Sequence, residues 1–155
     1  MAGWRAFALD EDRVYWSSFS TYTIGSVSKL GGEPLILFPG YVIAFAVDDT
    51  RLYFSTPAGE NAGDLLAMPK TGGTPAPLFP GNQVLQVGAV AVDASCCYWT
   101  LKDNFGKHHF VAAPKGGGEP FTIAYLKAEF SLVAADSSGV YWTDWQGGTV
   151  SMLAK

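Results

Sequence analysis

The sequence predicts an all-β chain built from four copies of one small antiparallel sheet, and three observations carry that prediction. One phrase recurs at residues 7–17 (FALDEDRVYWS), 45–55 (FAVDDTRLYFS), 90–100 (VAVDASCCYWT) and 133–143 (VAADSSGVYWT), always with an Asp five residues before a Tyr that Trp or Phe follows. The Asp positions are 10, 48, 93 and 136, a near-constant period of the size that marks repeat architectures. Between the copies lie short apolar runs bounded by glycine-rich turns, with no stretch of helical periodicity.

Each copy reads as four strands, a to d. Strand a, at 6–9, 43–47, 89–92 and 132–135, is a continuous apolar run, as expected of an innermost strand buried on both faces. It ends at the repeat's Asp, whose carboxylate can bond its own backbone two residues on and so start a hairpin. Strand b carries the aromatic pair, and adjacent large aromatics bury area on opposite faces of a sheet, which suits stacking one sheet on the next. The b–c loops, at 18–25, 56–63, 101–106 and 144–148, vary in length and composition. Strand c, at 26–30, 64–69, 107–114 and 149–155, has a Lys near its end in every copy: Lys29, Lys70, Lys115 and Lys155. A shared turn follows in three copies, Gly31-Gly32-Glu33-Pro34, Gly72-Gly73-Thr74-Pro75 and Gly117-Gly118-Glu119-Pro120. Paired glycines supply the positive φ of a tight hairpin, and the proline enters an outer strand where a missing N–H is tolerated. Strand d is then 35–38, 76–79 and 121–125. The fourth copy reaches Lys155 with strands a, b and c and no strand d.

Repeats of this length, each making four antiparallel strands, argue for the blades of a β-propeller. The expected organisation is one domain over 1–155, with blades at about 4–38, 41–79, 86–125 and 129–155, the last lacking its outer strand. Tyr141-Trp142-Thr143-Asp144 spells YWTD, and with the apolar strand and Asp just upstream it resembles the YWTD repeat of low-density-lipoprotein-receptor class B propellers. The corresponding tetrapeptides elsewhere are Tyr15-Trp16-Ser17-Ser18, Tyr53-Phe54-Ser55-Thr56 and Tyr98-Trp99-Thr100-Leu101. The glycine turn with Glu-Pro is similar to that of bacterial, often secreted, propeller proteins. The resemblance implies a ring of six blades, and closing four needs a different inter-blade angle, so we expect half of a larger ring, a homodimer or other oligomer in which a second copy covers unpaired end faces rich in residues such as Phe7, Val14, Val140 and Trp142. The competing arrangement is a compact four-blade monomer whose narrow channel is plugged by Ala8, Ala46, Ala91 and Ala134.

Composition bounds the function. An apolar content of 48% with 14% aromatics is ample for a packed core, and a net charge of −4 offers no basic footprint for nucleic acid. No apolar run is long enough to span a bilayer, and the first residues lack the apolar centre of a signal peptide, so no membrane partner is expected. Localisation is open, extracellular or periplasmic if the chain belongs to a longer secreted protein. Cys96 and Cys97 are neighbours on a strand, point to opposite faces and read as small apolar fillers. His108 and His109 are also neighbours and do not jointly ligate one ion, so no metal or other cofactor is expected.

For an enzyme, acids and bases should converge on the inner strands. The position two before each Asp is instead Ala in every copy, with apolar neighbours. The loop end formed by the d–a and b–c connections carries more polar and aromatic groups, with Arg5, Tyr22, Tyr41, Asn61, Gln86, Asp103, Phe105, Glu129 and Trp145. From these the expected ligand-binding face is Tyr22, Tyr41, Gln86, Asp103, Phe105, Glu129 and Trp145, with no catalytic residue. The expected function is a non-catalytic binding or scaffold module for protein–protein interaction or for holding a peptide or glycan. The alternative is a propeller-type enzyme, a lyase or lactonase-like hydrolase, whose site oligomerisation completes.

Overall fold

The computed structural model describes residues 4–57, 65–78, 87–103, 105–127, 132–144 and 146–155. These form four antiparallel sheets arranged as a four-blade β-propeller, and no helix occurs among the described residues. The first sheet has the order β1 (Trp4–Leu9), β2 (Arg13–Ser18), β3 (Thr23–Ser28), β4 (Leu35–Pro39). The second contains β5 (Ala44–Val47), β6 (Arg51–Ser55), β7 (Leu65–Pro69) and a two-residue β8 (Ala76–Pro77). The third contains β9 (Val87–Val92), β10 (Cys96–Lys102), β11 (His108–Pro114) and β12 (Phe121–Leu126). The fourth has three strands, β13 (Val133–Ala135), β14 (Gly139–Asp144) and β15 (Thr149–Ala154). Strand c of the first blade begins at Thr23, earlier than expected, because Ile24 is fully buried and Gly25 lets Trp16 lie across the backbone; a Cβ there would fall 2.6 Å from the indole.

The four strands a are innermost: β1 packs on β5, β5 on β9 and β9 on β13. The alanines two before each Asp are equivalent, each paired with its repeat's tyrosine: Ala8 with Tyr15, Ala46 with Tyr53, Ala91 with Tyr98, Ala134 with Tyr141. Ala8, Ala46 and Ala91 each pack in the layer between their own blade and the next, whereas Ala134 is exposed on the open side of blade four. Small residues are needed there because the neighbouring sheet approaches closely beside the tyrosine ring.

Period-two alternation sends each aromatic pair to two different layers. Tyr15 and Phe54 meet between blades one and two, Tyr53 and Trp99 between two and three, Tyr98 and Trp142 between three and four. Cys97 and Cys96 split the same way, and burial pushes the Cys97 thiol up to about 12, making it an inert filler. Both glycines of each shared turn have positive φ, from +90° at Gly31 to +140° at Gly73, as the hairpin requires.

Among the described residues no packed layer like those that join neighbouring blades links β13 to β1. Phe7 is 75% exposed, whereas its equivalents Phe45 and Val90 are 6% and 8% exposed. From the sequence, Val140 and Trp142 would lie on the open face of the last blade. They turn inward instead, Val140 being fully buried against blade three, and the open face is formed by Leu132, Tyr141, Val150 and Met152.

Candidate functional site

Two ends of the array carry polar detail. At the end formed by the a–b and c–d turns, each repeat Asp is a structural hub. One carboxylate oxygen caps the turn: Asp10 Oδ1 accepts from the N–H groups of Asp12 and Arg13 at 2.9 and 2.8 Å, and Asp48, Asp93 and Asp136 repeat the geometry. The other accepts the hydroxyl of the tyrosine five residues on, Tyr15 to Asp10 at 2.7 Å, Tyr53 to Asp48 at 2.8 Å and Tyr98 to Asp93 at 2.7 Å. The strand-c lysine of the following blade then reaches back to that second oxygen, Lys70 to Asp10 at 2.7 Å, Lys115 to Asp48 and Lys155 to Asp93. Each lysine is held at the same register by its own N–H, which bonds the turn two residues past its repeat's Asp. The spacing of Asp and Tyr was legible in the sequence; the role of the lysines was not.

Burial would raise the carboxyls of Asp10, Asp48 and Asp93. The lysine, tyrosine and backbone donors overcome that and hold all three well below the usual carboxylate range, Asp93 at about 2. A carboxyl depressed in the folded state contributes stability that is fully present above its unfolded pKa of about 3.9 and is lost as pH falls through the folded value. Stability is therefore expected to fall steeply from about pH 4 toward pH 2. Urea midpoints measured across that window test it, and a midpoint flat over the range would remove the lysine–aspartate links from the stability argument.

Along these turns the gaps between blades open into clefts. One, of about 670 Å³ between blades two and three, has Asp48, Tyr53, Asp93 and Lys115 in its walls. Its counterpart between blades three and four holds Asp93, Tyr98, Asp136 and Lys155. Their polar walls are thus largely occupied by the links between blades.

At the opposite end lie Tyr22, Tyr41, Asp103 and Phe105, four of the residues expected to form the ligand face. Tyr22 and Tyr41 come together with Phe19, which the sequence reading missed, in a triangle of rings whose centroids are 5.5 to 5.8 Å apart. Phe19 and Tyr22 are about half exposed. Tyr22 has φ of +50°, a left-handed conformation unfavourable for a bulky residue, and its carbonyl is tied down by the Gly40 N–H at 2.7 Å. In blade three Asp103 caps its own loop, accepting from the N–H groups of Phe105 and Lys107 at 2.9 and 2.8 Å. Its second oxygen bonds His109 Nε2 at 2.9 Å, a contact that with the loop N–H groups lowers the Asp103 carboxyl. His109 packs on Tyr125, while Phe105 stands 88% exposed. The structure thus groups Tyr22 with Tyr41 and Asp103 with Phe105 as two separate patches on one end. Gln86, Glu129 and Trp145, together with Asn61, lie outside the described residues. Phe19 was discoverable only as one more aromatic in a variable loop, since nothing local shows that it meets Tyr41.

Among the described residues no three His, Cys, Asp or Glu side chains converge in a way that could hold a metal ion. Asp144, the last letter of YWTD, caps the b–c turn by accepting from Gly147 N–H at 2.9 Å. The hydroxyls of the preceding Thr143 and its equivalent Thr100 accept from the N–H groups of Leu132, just before β13, and Ala89, within β9, at 3.0 and 2.9 Å. The motif is thus accounted for by hairpin geometry.

Fold and turn network together define a β-propeller of tyrosine–aspartate–lysine-linked blades. Among solved structures the chain is similar to one in "Crystal structure of Nidogen/Laminin Complex", with a TM-score of 0.69 and 16% identity over 97% of this chain and 75% of that one. That likeness concerns the fold. No family model matches the sequence, and no curated protein matches it.

Proposed function

We propose that the chain is a non-catalytic binding module of the YWTD-repeat type, which holds a protein, peptide or glycan on the loop end of its propeller. The observation that carries this reading is the Phe19–Tyr22–Tyr41 triangle: large rings, two of them half exposed, gathered from two blades and set on a strained but anchored loop. Aromatic clusters of this kind supply much contact area at little cost in side-chain entropy and are favoured in binding hot spots. The similarity to a propeller from a protein–protein complex agrees with this reading. The inner strands, with Ala, Val and Phe where a mechanism would need acids and bases, support a module that does no chemistry.

Tyr22→Ala and Phe19→Ala are each expected to weaken capture of a ligand found by screening immobilised peptides and glycans, by roughly tenfold or more, the effect of losing a hot-spot aromatic. Folding should be retained because both rings lie outside the inter-blade layers. Binding unaffected by either change, or contacts mapped to the a–b and c–d turns, would overturn the assignment.

A further inference from the structure

Each interface between blades is made of two unlike halves. The earlier blade contributes its tyrosine face and an aspartate; the later blade contributes its strand-a side chains and a lysine. Asp10, Asp48 and Asp93 each receive the lysine of the next blade. Asp136 and Lys29 are the remaining members of the two series. No lysine reaches the Asp136 carboxylate and no carboxylate pairs with Lys29 among the described residues.

Both are nevertheless set as their equivalents are. Asp136 Oδ1 accepts from Ser138 and Gly139 N–H at 2.8 and 3.0 Å, and Lys29 N–H bonds the Asp12 carbonyl at 2.8 Å. The Tyr141 hydroxyl, which in the other blades would take the second carboxylate oxygen, is 3.0 Å from Ser138 Oγ, so that oxygen of Asp136 is left open to a donor. The apolar parts of the same halves are bare: Phe7 and Leu9 beside Lys29's end of the array, Leu132 and Met152 beside Asp136's, each at least half exposed. Exposed faces of this kind on a folded chain mark interaction surfaces. The charge left over on one is opposite to that on the other.

We infer that the open face of blade four binds the open face of blade one of a second copy, with Lys29 of each chain completing the other's Asp136 site. The interface is head-to-tail, repeats the contact already made three times within the chain, and closes when two copies meet. Two copies give eight sheets, the upper end of the four to eight blades usual for propellers, whereas three would give twelve.

Charge reversal tests the pairing. By light scattering at micromolar concentration the wild-type chain is expected at twice its mass of 16.5 kDa. Lys29→Asp alone and Asp136→Lys alone each place like charges in both interfaces and are expected to be monomeric, with dissociation constants raised at least tenfold. An equimolar mixture of the two variants has one native and one reversed pair and should return to the dimer mass. Asp136→Asn keeps the turn acceptors and removes the charge, so it guards against misfolding as the cause; it too should dissociate more readily than wild type, with an unchanged circular dichroism spectrum. A wild-type chain that stays monomeric, a mass that grows beyond two copies, or a mixture that fails to reassociate would overturn the inference.

Discussion

Asp48→Ala is expected to lower the free energy of unfolding by about 3 kcal/mol, the range seen when one member of a buried, hydrogen-bonded charge pair is removed. The carboxylate accepts from Thr50 and Arg51 N–H, from the Tyr53 hydroxyl and from Lys115. Its loss uncaps a hairpin, leaves the hydroxyl of a tyrosine only 2% exposed without an acceptor, and removes the counter-charge of the mostly buried Lys115, which keeps only the Asp93 carbonyl at 2.7 Å. Asp48→Asn retains turn-capping and tyrosine-accepting oxygens in one amide only in part, and should fall between the alanine variant and wild type. In the Lys29→Asp background, where no lysine faces Asp136, Asp136→Ala removes only a turn cap and should cost about 1 kcal/mol. Urea unfolding followed by tryptophan fluorescence measures all three. Equal losses at Asp48 and Asp136 would show that the inter-blade lysine contributes nothing.

Phe54→Ala should cost about 3–5 kcal/mol, the usual loss for emptying a fully buried aromatic site. Phe54 is 0% exposed, sits in the layer between blades one and two, and meets Phe38 with ring centroids 4.8 Å apart. Collapse around the gap is resisted because the layer is held at its rim by the Lys70–Asp10 link. In a repeat array stability is the sum of blade and interface contributions, so damage to this layer should uncouple blade one from blade two of its own chain. Hydrogen exchange is expected to show β1 to β4 opening before β9 to β12. Uniform loss of protection across all four blades would contradict that picture.

The local features of each repeat were readable from the chain alone because they act over a few residues. Asp and Tyr five apart close one hairpin, paired glycines turn the next, and period-two alternation puts neighbouring aromatics on opposite faces of a sheet. Four copies of that unit suffice to specify blades, their strands and their order from the axis outward. The Lys29, Lys70, Lys115, Lys155 series was equally visible and equally regular, yet its role was not, since Lys70 and Asp10 are 60 residues apart and Lys115 and Asp48 are 67. Alternation says which side chains share a face but not which neighbouring sheet that face will meet, so Val140 and Trp142 could not be placed inward, nor Tyr141 and Met152 outward, until the blades were stacked. For the same reason the Phe19–Tyr22–Tyr41 triangle, assembled from loops of two blades, and the complementary pair left at the ends of the array exist only at the level of packing between repeats.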